Sequence, residues 1–174
     1  MCRPLAALLA GAILAGCANI DYTGTGRPLT ADAVKNAKYR VVHNGGEPFV
    51  LVNGRNEAVP TRAADRKMSV AMADPMGFGD LNGDGAIDAV VVLVSDLGGS
   101  GSYVTLAAVL NDRGLADHAA NADLGDRTRV KSIRVEKSLV TVDVLRAGPD
   151  DPLCCPTEQA TLRFMFEDGR LNPL

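Results

Sequence analysis

Four oxygen-bearing side chains fall in one short stretch: Asp80, Asn82, Asp84 and Asp88. They take positions one, three, five and nine of a loop, and Ala86 at position seven can offer its backbone carbonyl. Calcium is a hard cation that gathers about six to eight oxygens, and alternate residues of a tightly turned loop can converge on it. Gly83 and Gly85 stand at positions four and six, where a turn with positive φ costs glycine nothing. An EF-hand would place a bidentate Glu at position twelve; here that position is Val91, so the chain is expected to leave the loop into a strand. Asp80, Asn82, Asp84, Ala86 and Asp88 are therefore a candidate calcium site, and the all-oxygen set disfavours zinc and copper. The alternatives are another divalent ion and an Asx-rich turn without an ion, because Asn, Asp and Gly form turns unaided. Against the empty turn, three carboxylates within nine residues repel one another unless something neutralises them.

The elements that must position this loop flank it. Ala89 to Val94 is the most apolar run of the mature chain and reads as a central strand. Met68, Val70 and Met72 alternate with Ser69, Ala71 and Ala73 in the strand that enters the loop. Further period-two stretches are Tyr39 to His43, Phe49 to Val52, Tyr103 to Leu110, Val130 to Val135, Leu139 to Leu145, and Ala160 to Phe166 running on to Leu171. Leu115 to Leu124 has a diluted pattern. Asn53-Gly54 is a hairpin signal, and Asn111 to Gly114, Glu136 to Ser138 and Asp168-Gly169 are turns. Thr30 is a good N-cap for one short helix ending near Tyr39, with Ala33, Val34 and Ala37 on one face. The expected fold is mainly β (α+β): an antiparallel sheet or sandwich of short strands with one short N-terminal helix. A single loop of this type argues against a propeller, which needs several blades.

The chain has 174 residues, 47% hydrophobic and 22% charged, which suits one globular domain. Aromatic residues are 4% and Trp is absent, so the core must be aliphatic. The N-terminus reads as a targeting segment. Arg3 precedes an apolar stretch from Leu5 to Gly16, too short to span a bilayer comfortably, which ends in Leu14-Ala15-Gly16-Cys17. That order of one branched residue, two small ones and a Cys matches a bacterial lipobox. It makes residues 1–16 a signal peptide and Cys17 the lipidated N-terminus, with an ordinary secretory signal as the alternative. Several acyl chains anchor a protein stably where one does not. In enteric-type lipoproteins an Asp after the Cys favours retention at the inner membrane, so with Ala18 the expected location is the outer membrane, facing the periplasm or the cell surface. Residues 17–28 read as the lipidated Cys and a flexible tether, and 29–174 as the domain. Loss of Arg3 leaves 17 basic against 21 acidic residues, a charge of −4, and nucleic acid is not an expected partner.

Other residues capable of chemistry are fewer. Cys154 and Cys155 are adjacent and lie between Pro152 and Pro156; in an oxidising envelope they form a vicinal disulfide, or stay as two thiols. A redox or metal role is the smaller possibility. Gly98-Gly99-Ser100-Gly101-Ser102 fails the nucleophile-elbow pattern because position 102 is Ser. His43 and His118 are isolated, and Asp150-Asp151 reads as solvated loop charge. No catalytic constellation is visible.

The order Asp-x-Asn-x-Asp-Gly-x-x-Asp from Asp80 to Asp88, preceded by Phe78-Gly79 and followed by apolar residues, resembles the calcium loops of FG-GAP and VCBS-type repeats. With Gly98-Gly-Ser-Gly, Leu124-Gly-Asp-Arg127 and Gly148-Pro-Asp-Asp-Pro-Leu-Cys-Cys-Pro-Thr157, residues 29 to 170 resemble small bacterial envelope lipoproteins carrying one such motif. The resemblance implies an envelope location and a β-rich fold, and no substrate. The expected function is a lipid-anchored, calcium-stabilised, non-enzymatic module that binds a protein or glycan ligand or acts as a scaffold. The alternatives are an envelope enzyme or redox protein using Cys154 and Cys155, and an inhibitor or adhesin presenting its loops.

Overall fold

The computed structural model describes residues 27–61, 68–152 and 154–174. The lipobox and the tether up to Gly26 lie outside these residues. Helix α1 (Ala31–Lys35) opens on Thr30, whose hydroxyl accepts the Ala33 N–H at 3.1 Å. It stops at Asn36, earlier than expected. The Asn36 amide oxygen turns outward to accept the Asn53 N–H, and the Tyr39 hydroxyl folds back to donate to the Val34 carbonyl.

Among the described residues, eleven strands follow. β1 (Lys38–Tyr39) and β2 (Phe49–Val50) make a small two-stranded sheet. β3 (Arg55–Val59), β4 (Met68–Gly79), β5 (Asp88–Asp96), β6 (Ser102–Asp112) and β7 (Leu115–Asp126) form a five-stranded antiparallel sheet in that order. β8 (Arg129–Glu136), β9 (Leu139–Arg146), β10 (Glu158–Glu167) and β11 (Arg170–Pro173) form a four-stranded one. The protein is mainly β; its described residues form three antiparallel sheets and one short helix, arranged as a small sandwich.

The five-stranded sheet is the middle layer. One face, through Ala89, Val91, Leu93 and Val109, packs under α1, Tyr39, Val41 and Leu51. The other face, through Val90, Val92, Leu106 and Ala108, packs on Val140, Val142, Phe164 and Phe166 of the four-stranded sheet. A strand covered on both faces must be apolar at every position. That is why Ala89 to Val94 is continuous, while β9, with one face open, alternates. The two sheets meet most closely at β4 and β8. A Cβ on Gly79 would lie 2.8 Å from the Val135 carbonyl oxygen and 2.7 Å from its side chain.

Several local expectations are corrected. The Tyr39 to His43 strand is only two residues long, and Val42–Asn44 is a 3₁₀ turn. The Asn44 amide causes this break: it donates to the Glu47 and Pro60 carbonyls and accepts the Gly46 N–H. β3 is an additional strand. Its sequence Arg-Asn-Glu-Ala-Val carries no period, because it is an edge strand held by backbone pairing to β4. The diluted Leu115 to Leu124 pattern is a full strand, β7, whose twelve residues take their register from β6 through two irregularities. Ordered contacts begin before Leu29, because the Arg27 carbonyl accepts the Asn111 amide at 3.2 Å. Asn53 and Gly54, both at positive φ, close the expected two-residue hairpin between Val52 and Arg55.

The close approach at Gly79 gives the first test. Gly79→Ala is expected to destabilise the domain by about 1–3 kcal/mol, because the new methyl meets a backbone carbonyl that cannot rotate away. Urea denaturation with unchanged slope and lowered midpoint is the expected result; an unchanged midpoint would refute this packing.

Candidate metal centre

The loop from Asp80 to Asp88 connects β4 to β5 and is fastened at both ends. Leu81 is fully buried in the core between the sheets. Asp88, the first residue of β5, is also fully buried. Its two carboxylate oxygens accept one backbone N–H each, from Leu81 and from Asn111, both at 2.8 Å. A single side chain thus ties the start of the loop to the start of β5 and to the end of β6.

Within the loop, Asp80 accepts the Gly83 N–H at 2.7 Å on one oxygen and the Gly85 N–H at 3.0 Å on the other. Asn82 accepts the Asp84 N–H through its side-chain oxygen, and Asp84 accepts both the Ala86 N–H and the Asn82 amide. Gly83 and Gly85 sit at φ of 79° and 82°, the left-handed turns that wind the chain around Asp80. A carboxylate oxygen has about two lone pairs, so one N–H leaves each oxygen a free acceptor site.

The electrostatics are one-sided. Burial raises the Asp88 pKa first, the Asn111 and Leu81 N–H groups pull it back, and the charges of Asp84 and Asp80 raise it again. Among the described residues, no Lys, Arg or His forms an ion pair with Asp80, Asp84 or Asp88. In donor chemistry the residues fit calcium: they are hard oxygens on a glycine-turned loop, close enough to repel. In their present disposition the carboxylates face backbone N–H groups. Among the described residues, no group of three His, Cys, Asp or Glu side chains converges as a ready-made metal cage.

The remaining sequence candidates separate. Cys154 and Cys155 form the vicinal disulfide, exposed on the loop after β9. That loop is organised by Asp151, which is not merely solvated charge: it accepts the Gly148 N–H, the Thr157 N–H and the Thr157 hydroxyl. These bonds, the Gly148 N–H foremost, hold its pKa below the usual carboxylate range. Asp150 stays exposed. His118 packs on Tyr39 with ring centroids 5.5 Å apart, and burial lowers its pKa. His43 stacks on Tyr103 at 4.5 Å. The Gly98 to Ser102 stretch joins β5 to β6, with the Arg127 guanidinium bound to the Ser100 carbonyl. Asn111 was recognisable only as a turn residue, since its key contact to Asp88 is made by a backbone N–H.

One polar group was not anticipated. Asp143, on the outer face of β9, accepts the Ser132 and Thr161 hydroxyls and the Arg134 guanidinium at 2.7, 2.8 and 3.0 Å. These bonds, in that order, hold its pKa down to about 2.

No family model, curated protein or solved structure matches this chain.

Asp88→Ala strips two buried N–H groups of their acceptor. In calcium-free buffer the expected loss is about 2–4 kcal/mol, and Asp88→Asn, which keeps one acceptor oxygen, loses about half of that. Equal midpoints for the wild type and Asp88→Ala in urea would show that the buried carboxylate does not hold the loop.

Proposed function

We propose that this protein is a lipid-anchored domain of the bacterial envelope whose fold is stabilised by calcium, and that it works as a non-enzymatic binding or scaffold module. The observation that carries the reading is the loop itself. Asp80, Asp84 and Asp88 crowd together with no cationic partner among the described residues, and Asp88 ties them into the central sheet. Asp80, Asn82, Asp84 and the Ala86 carbonyl would hold the ion, with Asp88 as the inner carboxylate. Bound calcium would supply positive charge where the side chains now repel. The resemblance to FG-GAP and VCBS-type loops supports the same reading.

The redox alternative has one observation in its favour, the exposed disulfide of Cys154 and Cys155. Asp151 and the Pro152 carbonyl, which accepts the Cys155 N–H, hold that loop by bonds independent of the sulfurs, which favours a structural role.

Extracellular calcium modules commonly have dissociation constants of roughly 10⁻⁴ to 10⁻³ M. At a hundredfold excess over that constant, linkage adds about 2.7 kcal/mol to stability. A calcium titration by calorimetry, with melting recorded in parallel, should show heat of binding and a raised Tm, and Asp84→Ala should erase most of the rise. Absence of both heat and shift at millimolar calcium would reduce the loop to an Asx-rich turn.

The anchor is tested separately. Intact mass of membrane-extracted protein should begin at an acylated Cys17. A soluble product starting at another residue would remove the anchor from the proposal.

A further inference from the structure

We infer that the outer face of the four-stranded sheet is the ligand-binding surface of this module and that it takes a linear polysaccharide carrying carboxylates. The inference rests on the binding-module reading above, and gives it a surface and a ligand class.

The middle sheet is covered on both sides, so the open broad face belongs to β8–β11. Pairing register sets out its rows. Arg129, Leu145 and Gln159 lie side by side; Ser132, Asp143 and Thr161 form the next row; Arg134, Thr141 and Arg163 form the third. Lys131 is the extra residue at the register shift between Val130 and Ser132. Neighbouring strands are about 4.8 Å apart, which puts the backbones of Arg134 and Arg163 about 10 Å from one another. Arg129, Lys131, Arg134 and Arg163 are all exposed, and only Arg134 has an acidic partner among the described residues. In these three rows four cations stand against the single carboxylate of Asp143, while the exposed Glu136 and Glu167 lie toward the other end of the same face.

The chemistry between the cations selects the ligand. Thr141, Thr161 and Gln159 supply neutral donors and acceptors. Asp143 accepts three bonds and, with about four lone-pair sites, keeps room for one more donor. Beside it an open depression of about 520 Å³ is lined by Lys131, Asp143, Val144, Leu145, Gln159, Ala160 and Thr161. Guanidinium and ammonium groups match carboxylates, whereas the hydroxyl, amide and carboxylate acceptors match sugar hydroxyls. A uronate chain alternates carboxylates with hydroxyls, so its carboxylates can meet the cations while a hydroxyl donates to Asp143; a phosphate-dense bilayer surface offers Asp143 few such donors. A folded protein partner would need a central aromatic anchor, and no aromatic side chain appears in these three rows.

The test uses full-length protein in neutral detergent, in buffer containing a calcium chelator, with polygalacturonate as the probe. Four engaged cations predict a roughly fiftyfold loss of affinity between about 50 and 200 mM salt by counterion release. The triple variant Arg129→Gln/Lys131→Gln/Arg163→Gln, which leaves the Arg134–Asp143 pair intact, should bind more weakly and lose only about threefold over the same range. Its melting temperature should stay unchanged, because none of the three side chains has a charged partner to lose. Binding unaffected by the triple variant, binding that appears only with calcium, equal affinity for polyglutamate, or capture by phosphatidylglycerol vesicles alone would each overturn the inference. Calcium-dependent melting, read on the same protein in chelator-free buffer, tests the loop independently of this surface.

Discussion

A buried carboxylate holds this structure together at its most polar point. Asp88 has no exposed surface, and its charge is met by two backbone N–H groups, not by a cation among the described residues. Each charge-assisted bond to a carboxylate is worth about 1.5–3 kcal/mol, while the effective cost of desolvating an ion is several kcal/mol. The two sides are close to balance, and the repulsion from Asp84 and Asp80 weighs against the ionised form. A divalent ion among these residues would reverse the sign of that last contribution, because the ion would become the largest local charge. The loop has an electrostatic need on the one side that faces solvent, and satisfied backbone contacts on the side that faces the core.

What Asp88 fastens is the middle of the sandwich. Its Asn111 contact reaches the β6–β7 turn, where the Asn111 side chain in turn accepts the Gly114 N–H and donates to the Arg27 carbonyl. Leu81 reaches the inter-sheet core that contains Phe166 and Leu171. Order in the loop is therefore shared with the entry of the chain into the domain, with the central strand and with the second sheet. This sharing follows from burying β5 on both faces, since every residue leaving the loop must already be in register.

The parts of this arrangement that were legible in the sequence share one property: their signal lies in side chains. The Asp-Asn-Asp-Asp spacing, the unbroken Ala89 to Val94 run and the alternation of Val140, Val142 and Val144 all state what each side chain faces. Two-residue turns such as Asn53-Gly54 and Asp168-Gly169 were legible because both residues must take positive φ. What stayed hidden depends on backbone partners or on long-range neighbours. β3 is defined by pairing with β4, and β7 by register with β6, so neither needs a period of its own. Asp151 looked like one of two loop carboxylates, and only the closure of Gly148 onto Thr157 separates it from Asp150. Asp143 gains its partners from strands eleven residues before and eighteen residues after it, a relation no local pattern carries.

The same layering explains why the acidic loop and the basic face are separate surfaces of one body. A sheet covered on both sides can present function only at its loop ends, and its strongest polar loop is the one at Asp80 to Asp88. The second sheet keeps a whole face free, and its strands can alternate aliphatic residues inward with Arg, Thr and Asp outward at no cost to the core. The two regions meet through the interior. Gly79, which leads into the loop, lies against Val135 of β8, whose neighbour Arg134 points the other way onto the open face. The strand that enters the loop and β8, which carries three of the four cations on that face, are therefore direct neighbours across the core.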